Sequence, residues 1–138
     1  MRIFLDANVL FSAAKSDGAV RLLVNRLLDA GHECVADGYV LTEARRNLSS
    51  KGPEALVALD ALLVHLHVHA STTRAPSVAL KEADWLPEKD RPVLYAAMRL
   101  RCDALVTGDR THFGPGYGKS FGGVTIHSPR SLAEVLLF

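Results

Sequence analysis

Short apolar runs that stop abruptly at a polar residue alternate along this chain with longer stretches whose apolar residues fall at helical spacing. Ile3-Phe4-Leu5 halts at Asp6, Glu33-Cys34-Val35-Ala36 at Asp37-Gly38, and Ala104-Leu105-Val106-Thr107 at Gly108-Asp109, while Val124-Thr125-Ile126 forms a further run. Runs this short and this apolar read as strands buried on both faces, the kind found in parallel sheets covered by helices. Between them, Ala19, Val20, Leu22, Leu23, Leu27 and Leu28 draw a helical stripe behind Asp17, a candidate N-cap, with Ala30-Gly31 as its stop. Residues 42–48 read as a short helix, and Pro53 opens another whose core face carries Leu56, Val57, Leu59 and Leu63. Asp90-Arg91-Pro92 starts a helix bearing Val93, Leu94, Ala96, Ala97, Met98 and Leu100, and residues 131–137 form a last one behind Ser128 or Ser131. Residues 64–69 alternate strictly, which predicts a strand with one wet face; residues 70–87 read as loop with a short helix. The expected fold is α/β, a three-layer sandwich around a mainly parallel central sheet. Its 138 residues suit one domain spanning 1–138, long enough to bury a core without staples.

Composition narrows the function. Sixteen Lys and Arg against fifteen Asp and Glu leave a formal charge of +1, which excludes a generally basic nucleic-acid coat but not a local patch. Cys34 and Cys102 stand far apart, so a disulfide framework or a thiolate zinc site is not expected. The opening reaches Asp6 too soon for the apolar segment of a signal peptide, and no uncharged run is long enough to span a membrane. A soluble, cytoplasmic protein is expected.

In open α/β sheets, ligands bind outside the carboxyl ends of the strands. Asp6 and Asp109 stand where strands run out, Asp90 opens the helix before the second of these strands, and Glu43 lies on the helix that follows the Cys34 strand. If neighbouring parallel strands carry these elements, the four acids converge at one end of the sheet. Two like charges ~4 Å apart repel by about 4 kcal/mol at an effective dielectric near 20, so such a group needs protons or a cation. Ligation by oxygen alone selects a hard divalent ion, Mg²⁺ or Mn²⁺ rather than zinc, and suits metal-assisted hydrolysis of a phosphodiester.

These segments, in this order, resemble the PIN-domain nucleases, particularly the VapC-type toxins of bacterial toxin–antitoxin pairs. Phe4-Leu5-Asp6-Ala7-Asn8-Val9-Leu10 is similar to the family's first motif, Leu41-Thr42-Glu43 to its helical Glu, and Lys89-Asp90-Arg91-Pro92 to its third acid. Thr107-Gly108-Asp109 with His112-Phe113 is similar to its last motif. The resemblance implies a metal-dependent endoribonuclease with Asp6, Glu43, Asp90 and Asp109 as metal ligands and Asn8 and Thr107 as supporting polar groups. It further implies an RNA substrate, a cognate antitoxin covering the helical face near residues 22–28 and 56–63, and a homodimer. Many relatives carry a further acid beyond the last motif, where this chain has Arg110, Thr111, His112 and Phe113, which leaves the number of metals open.

Arg45, Arg46, Arg91 and Arg110, with Lys89, neighbour the candidate ligands and would give an acidic pocket a basic rim able to attract RNA. His65, His67 and His69 point along one strand face at ~6.6–7 Å intervals and read as a solvated surface rather than a metal cluster. His112 reads as packing beside Phe113 or supporting the site from behind. Gly114-Pro115-Gly116-Tyr117-Gly118-Lys119-Ser120 lacks the first glycine of a phosphate loop and reads as a mobile loop. Two other functions compete: a non-catalytic RNA- or protein-binding domain, and phosphotransfer through an aspartyl phosphate on Asp6. In the second, Asn8 stands where an acid would be needed.

Overall fold

The computed structural model describes residues 1–71 and 81–137. Among them a six-stranded sheet has the order β3-β2-β1-β4-β6-β5. The strands are β1 (Arg2–Leu5), β2 (Glu33–Asp37), β3 (His67–His69), β4 (Ala104–Val106), β5 (Ser120–Phe121) and β6 (Val124–His127). All neighbouring pairs are parallel except β5 with β6. Consecutive strand side chains point to opposite faces, and Ile3, Phe4 and Leu5 are all fully buried, so both faces of the sheet are covered. Each such buried Leu, Ile or Phe contributes about 1.5–3 kcal/mol of hydrophobic stabilisation.

The helices are α1 (Ala7–Lys15), α2 (Ala19–Asp29), α3 (Gly38–Lys51), α4 (Leu56–Leu63), α5 (Arg91–Arg99) and α6 (Pro129–Leu137). α1 packs on α2, α3 and α4, α2 touches α6, and α5 packs against β4 and α3. The chain adds strands outward from β1 through β2 to β3, then crosses to the other side of β1 for β4 and β6. The order reverses between β1 and β4, and in open sheets of this kind ligands bind at the carboxyl ends of the strands at such a switch point.

Several sequence expectations change. α1 begins directly after Asp6, which caps it by accepting the Ala7 N–H at 2.7 Å; no helix was expected there. α2 starts behind Gly18 with no side-chain cap, so Asp17 is not its N-cap. β2 runs straight into α3, where Asp37 is the N-cap and accepts from the Val40 N–H at 3.2 Å. The alternation over 64–69 yields only the short edge strand β3, because the chain is still turning off α4 at Val64, which is 80% exposed. Part of the expected 70–87 loop lies outside the described residues; its described end holds a single 3-10 turn at Lys81–Ala83, and another follows it at Glu88–Asp90. The terminal helix begins earlier than expected, and Ser128 caps it by accepting the Ser131 N–H at 3.0 Å.

The glycine-rich loop, expected as a mobile loop, packs against Trp85. Gly114–Gly116 forms a 3-10 turn, and the chain then folds back as β5. A Cβ on Gly116 would lie 2.5 Å from the Trp85 ring, so the backbone lies on the indole where no side chain fits. Trp85 also stacks on Phe121 with ring centroids 4.8 Å apart and meets Phe113 edge-on at 6.3 Å. This aromatic group joins the segment leading to Asp90 with the loop that follows β4.

Candidate active site

Asp6 sits at the carboxyl end of β1 and Thr107 directly after β4, so the switch point brings them together. Thr107 Oγ1 donates to Asp6 Oδ2 at 2.7 Å and accepts from Asn8 Nδ2 and from the Asp109 N–H, both at 3.2 Å. Asn8 Nδ2 also reaches Asp6 Oδ2 at 3.1 Å, and its Oδ1 accepts the Gly108 N–H at 2.7 Å. One hydroxyl thus links the acid of β1 to the acid beyond β4, while Asn8 ties the start of α1 to the same loop. The Tyr117 hydroxyl donates to the Thr107 carbonyl at 2.7 Å and steadies the loop from the far side.

Asp6 is 5% exposed. Burial pushes its carboxyl up to about 6; the Thr107 and Ala7 hydrogen bonds pull it down, and the charges of Glu43 and Asp90 push it further up. A carboxylate offers about four acceptor positions, and three are taken, so one remains. A carboxylate engaged at both oxygens and buried is a poor nucleophile, which weighs against the aspartyl-phosphate alternative.

Asp90 opens α5 without capping it: its side chain makes no cap hydrogen bond. It turns instead toward Asp109 and His112. His112 Nδ1 lies 2.8 Å from Asp90 Oδ2 and 3.1 Å from Asp109 Oδ2. The His112 backbone N–H donates to Asp109 Oδ1 at 3.1 Å, which fixes that carboxylate. Asp90 Oδ2 and His112 Nδ1 are buried, and neither has a hydrogen-bond partner. Buried polar atoms left this way are costly unless something else compensates them. One ligand atom from each of Asp90, Asp109 and His112 falls within 4.8 Å of the others. The donor set and the orphaned atoms fit a divalent cation. His112 therefore faces the acids, while Phe113 alone takes the place in the core. The only signal in the sequence was its position three residues beyond a strand-end acid.

Glu43 lies on α3, exposed, and near enough to act electrostatically on both Asp6 and Tyr39. It lines a groove of about 470 Å³ with Gly38, Tyr39, Thr42, Arg46, Ser71 and Lys89. The Tyr39 hydroxyl donates to the Lys89 carbonyl at 2.5 Å, joining α3 to the turn that presents Asp90. Of the expected basic rim, Arg46 and Lys89 line this groove and Arg110 is exposed beside Asp109. Arg45 instead pairs with Asp60 at 3.1 Å, on α4. The Arg91 guanidinium is turned back onto the Leu86 and Asp84 carbonyls at 3.0 and 3.3 Å. His65, His67 and His69 form no metal-competent group among the described residues. Burial pushes the Cys34 thiol up to about 12 and the Cys102 thiol to about 11, so neither supplies a thiolate at neutral pH. Among the described residues no helix is long and apolar enough to cross a membrane.

The fold is similar to a chain in the crystal structure of VapBC2 from Rickettsia felis bound to a DNA fragment from their promoter. The TM-score is 0.68 at 16% identity, covering 93% of this chain and 98% of that one. It is also similar to Mycobacterium tuberculosis VapC20, a sarcin-ricin loop cleaving toxin, with a TM-score of 0.58 at 17% identity, covering 86% of this chain and 98% of that one. No curated protein sequence matches the chain. Residues 2–111 match the PIN domain, a stretch that holds β1, β4 and all four candidate acids, and the chain belongs to the PIN domain family.

Proposed function

We propose that this protein is a metal-dependent endoribonuclease, the toxin of a toxin–antitoxin pair acting in the cytoplasm. The observation that carries the reading is the meeting of Asp90, Asp109 and His112 beside Asp6 at the sheet's switch point, in a chain of the PIN family. Asp6, Glu43, Asp90 and Asp109 hold Mg²⁺ or Mn²⁺. When bound, that ion activates water and offsets charge on the phosphate. Asp6 is held in place by Thr107 and Asn8, and Asp90 keeps its carboxylate free because it does not cap α5. Arg46 and Lys89 draw the RNA backbone along the groove beside Glu43, and Arg110 meets it at the other side.

A cellular nuclease of this kind requires restraint. The exposed apolar side chains of Leu22 on α2 and Val57 on α4 support a cognate antitoxin as partner on the helical face, and a homodimer is the assembly we expect. The test is cleavage of a fluorogenic RNA panel with Mg²⁺, Mn²⁺ or EDTA, for the parent chain and Asp6→Asn. Metal-dependent cutting that Asp6→Asn abolishes supports the assignment. Binding of RNA with no cutting under any condition favours the non-catalytic alternative.

A further inference from the structure

His112 is the group in the site that oxygen-only ligation leaves unexplained. We propose that His112 Nδ1 is itself a metal ligand, making the centre mixed nitrogen and oxygen and selective for Mn²⁺ over Mg²⁺; this rests on the metal-dependent reading of the same site. The geometry favours a shared ion over an ion pair. Ligand atoms at about 2.1 Å from one ion and at right angles stand roughly 3.0 Å apart. The observed separations from Nδ1 are 2.8 Å to Asp90 Oδ2 and 3.1 Å to Asp109 Oδ2. An imidazolium paired with a carboxylate would aim its N–H at an oxygen. Here neither contact has that alignment, and both Asp90 Oδ2 and His112 Nδ1 stay without a hydrogen bond. The three ligand atoms stay within 4.8 Å of one another.

The local chain prepares this arrangement. The His112 backbone N–H occupies Asp109 Oδ1, which leaves Oδ2 on the side of the ring. For Nδ1 to offer a lone pair, the ring proton sits on Nε2. Mg²⁺ takes oxygen ligands and gives up its waters reluctantly, whereas imidazole suits first-row transition ions. Mn²⁺ accepts both the carboxylates and the ring.

Two measurements on the full chain test this. Pulsed electron paramagnetic resonance of the Mn²⁺-loaded parent protein reads nitrogen coupling from a directly bound imidazole without any substitution. Mn²⁺ titration with Mg²⁺ as competitor reads selectivity for the parent and for His112→Ala. The expected result is nitrogen coupling in the parent that is lost in the variant, with Mn²⁺ affinity falling about tenfold or more and Mg²⁺ affinity by less than about twofold. Mn²⁺ bound without nitrogen coupling overturns the inference, as does an equal loss for both ions, which would make His112 a positioning residue. Failure of the parent to bind either ion overturns the metal-dependent reading itself.

Discussion

Asp6 and Asp37 end neighbouring parallel strands, are almost wholly buried, and each accepts a backbone N–H at the start of the helix that follows. Locally they are equivalent, yet only one lies in the proposed site. β2 continues the sheet on both sides, so Asp37 meets the start of α3, and the Val40 N–H and the Arg99 charge ease a carboxyl that burial pushes up. β1 borders the point where strand order reverses, so Asp6 meets Thr107 and feels Glu43 and Asp90 as like charges. Topology, rather than the residue or its cap, decides which strand-end acid is placed for chemistry.

The widest separation between the two acids is expected in cleavage. Asp6→Asn should slow RNA hydrolysis at least about 100-fold, while Asp37→Asn, which keeps a competent cap, stays within about threefold of the parent in the same assay. Equal losses would erase the distinction.

Next comes pH. The folded-state value of Asp6, about 6, lies above its ordinary 3.8, so the folded chain holds this proton more tightly than the unfolded chain does. Its contribution is full below pH ~4 and is lost as pH rises through 6, roughly 3 kcal/mol in metal-free protein. Urea midpoints at pH 4.5 and 7.5 should show that decline, and Asp6→Asn should flatten it. A slope left unchanged by Asp6→Asn would mean that the burden lies elsewhere.

Thr107→Val removes the hydroxyl that joins Asp6, Asn8 and the Asp109 N–H. It should lower stability by about 1–3 kcal/mol and weaken metal binding about 10-fold, with Thr107→Ser restoring most of both in calorimetry. The smallest effect contrasts two adjacent arginines. Arg46→Ala should raise KM a few-fold and reduce the salt dependence of RNA binding by about one ion, whereas Arg45→Ala should change neither and alter stability by at most ~1 kcal/mol.

The buried strands, the helix behind Asp90-Arg91-Pro92 and the acids at strand ends were legible because uniform apolar runs and proline at a helix start are local signals. α1 was not, since Asp6 serves at once as strand tip, cap and proposed site acid, and a reading of the strand stops there. β3 fell short of its alternation because an edge strand's length depends on where the preceding helix lets go, at Val64. β5 is two residues long and exists only against β6, below the reach of any periodicity. The basic rim divided for a similar reason: sequence proximity could not tell Arg46, which faces the groove, from Arg45, which reaches Asp60. For His112 the sequence left packing beside Phe113 and support of the site both open, and only the turn at Asp109 reveals that the imidazole faces the acids.

The indole of Trp85 has a practical consequence. It packs the stretch that leads to Asp90 against the rings of Phe113 and Phe121, so both sides of the acid group meet at one indole. As the chain's sole tryptophan, it is a built-in optical gauge: a change in that ring packing registers in its emission, with no dye attached.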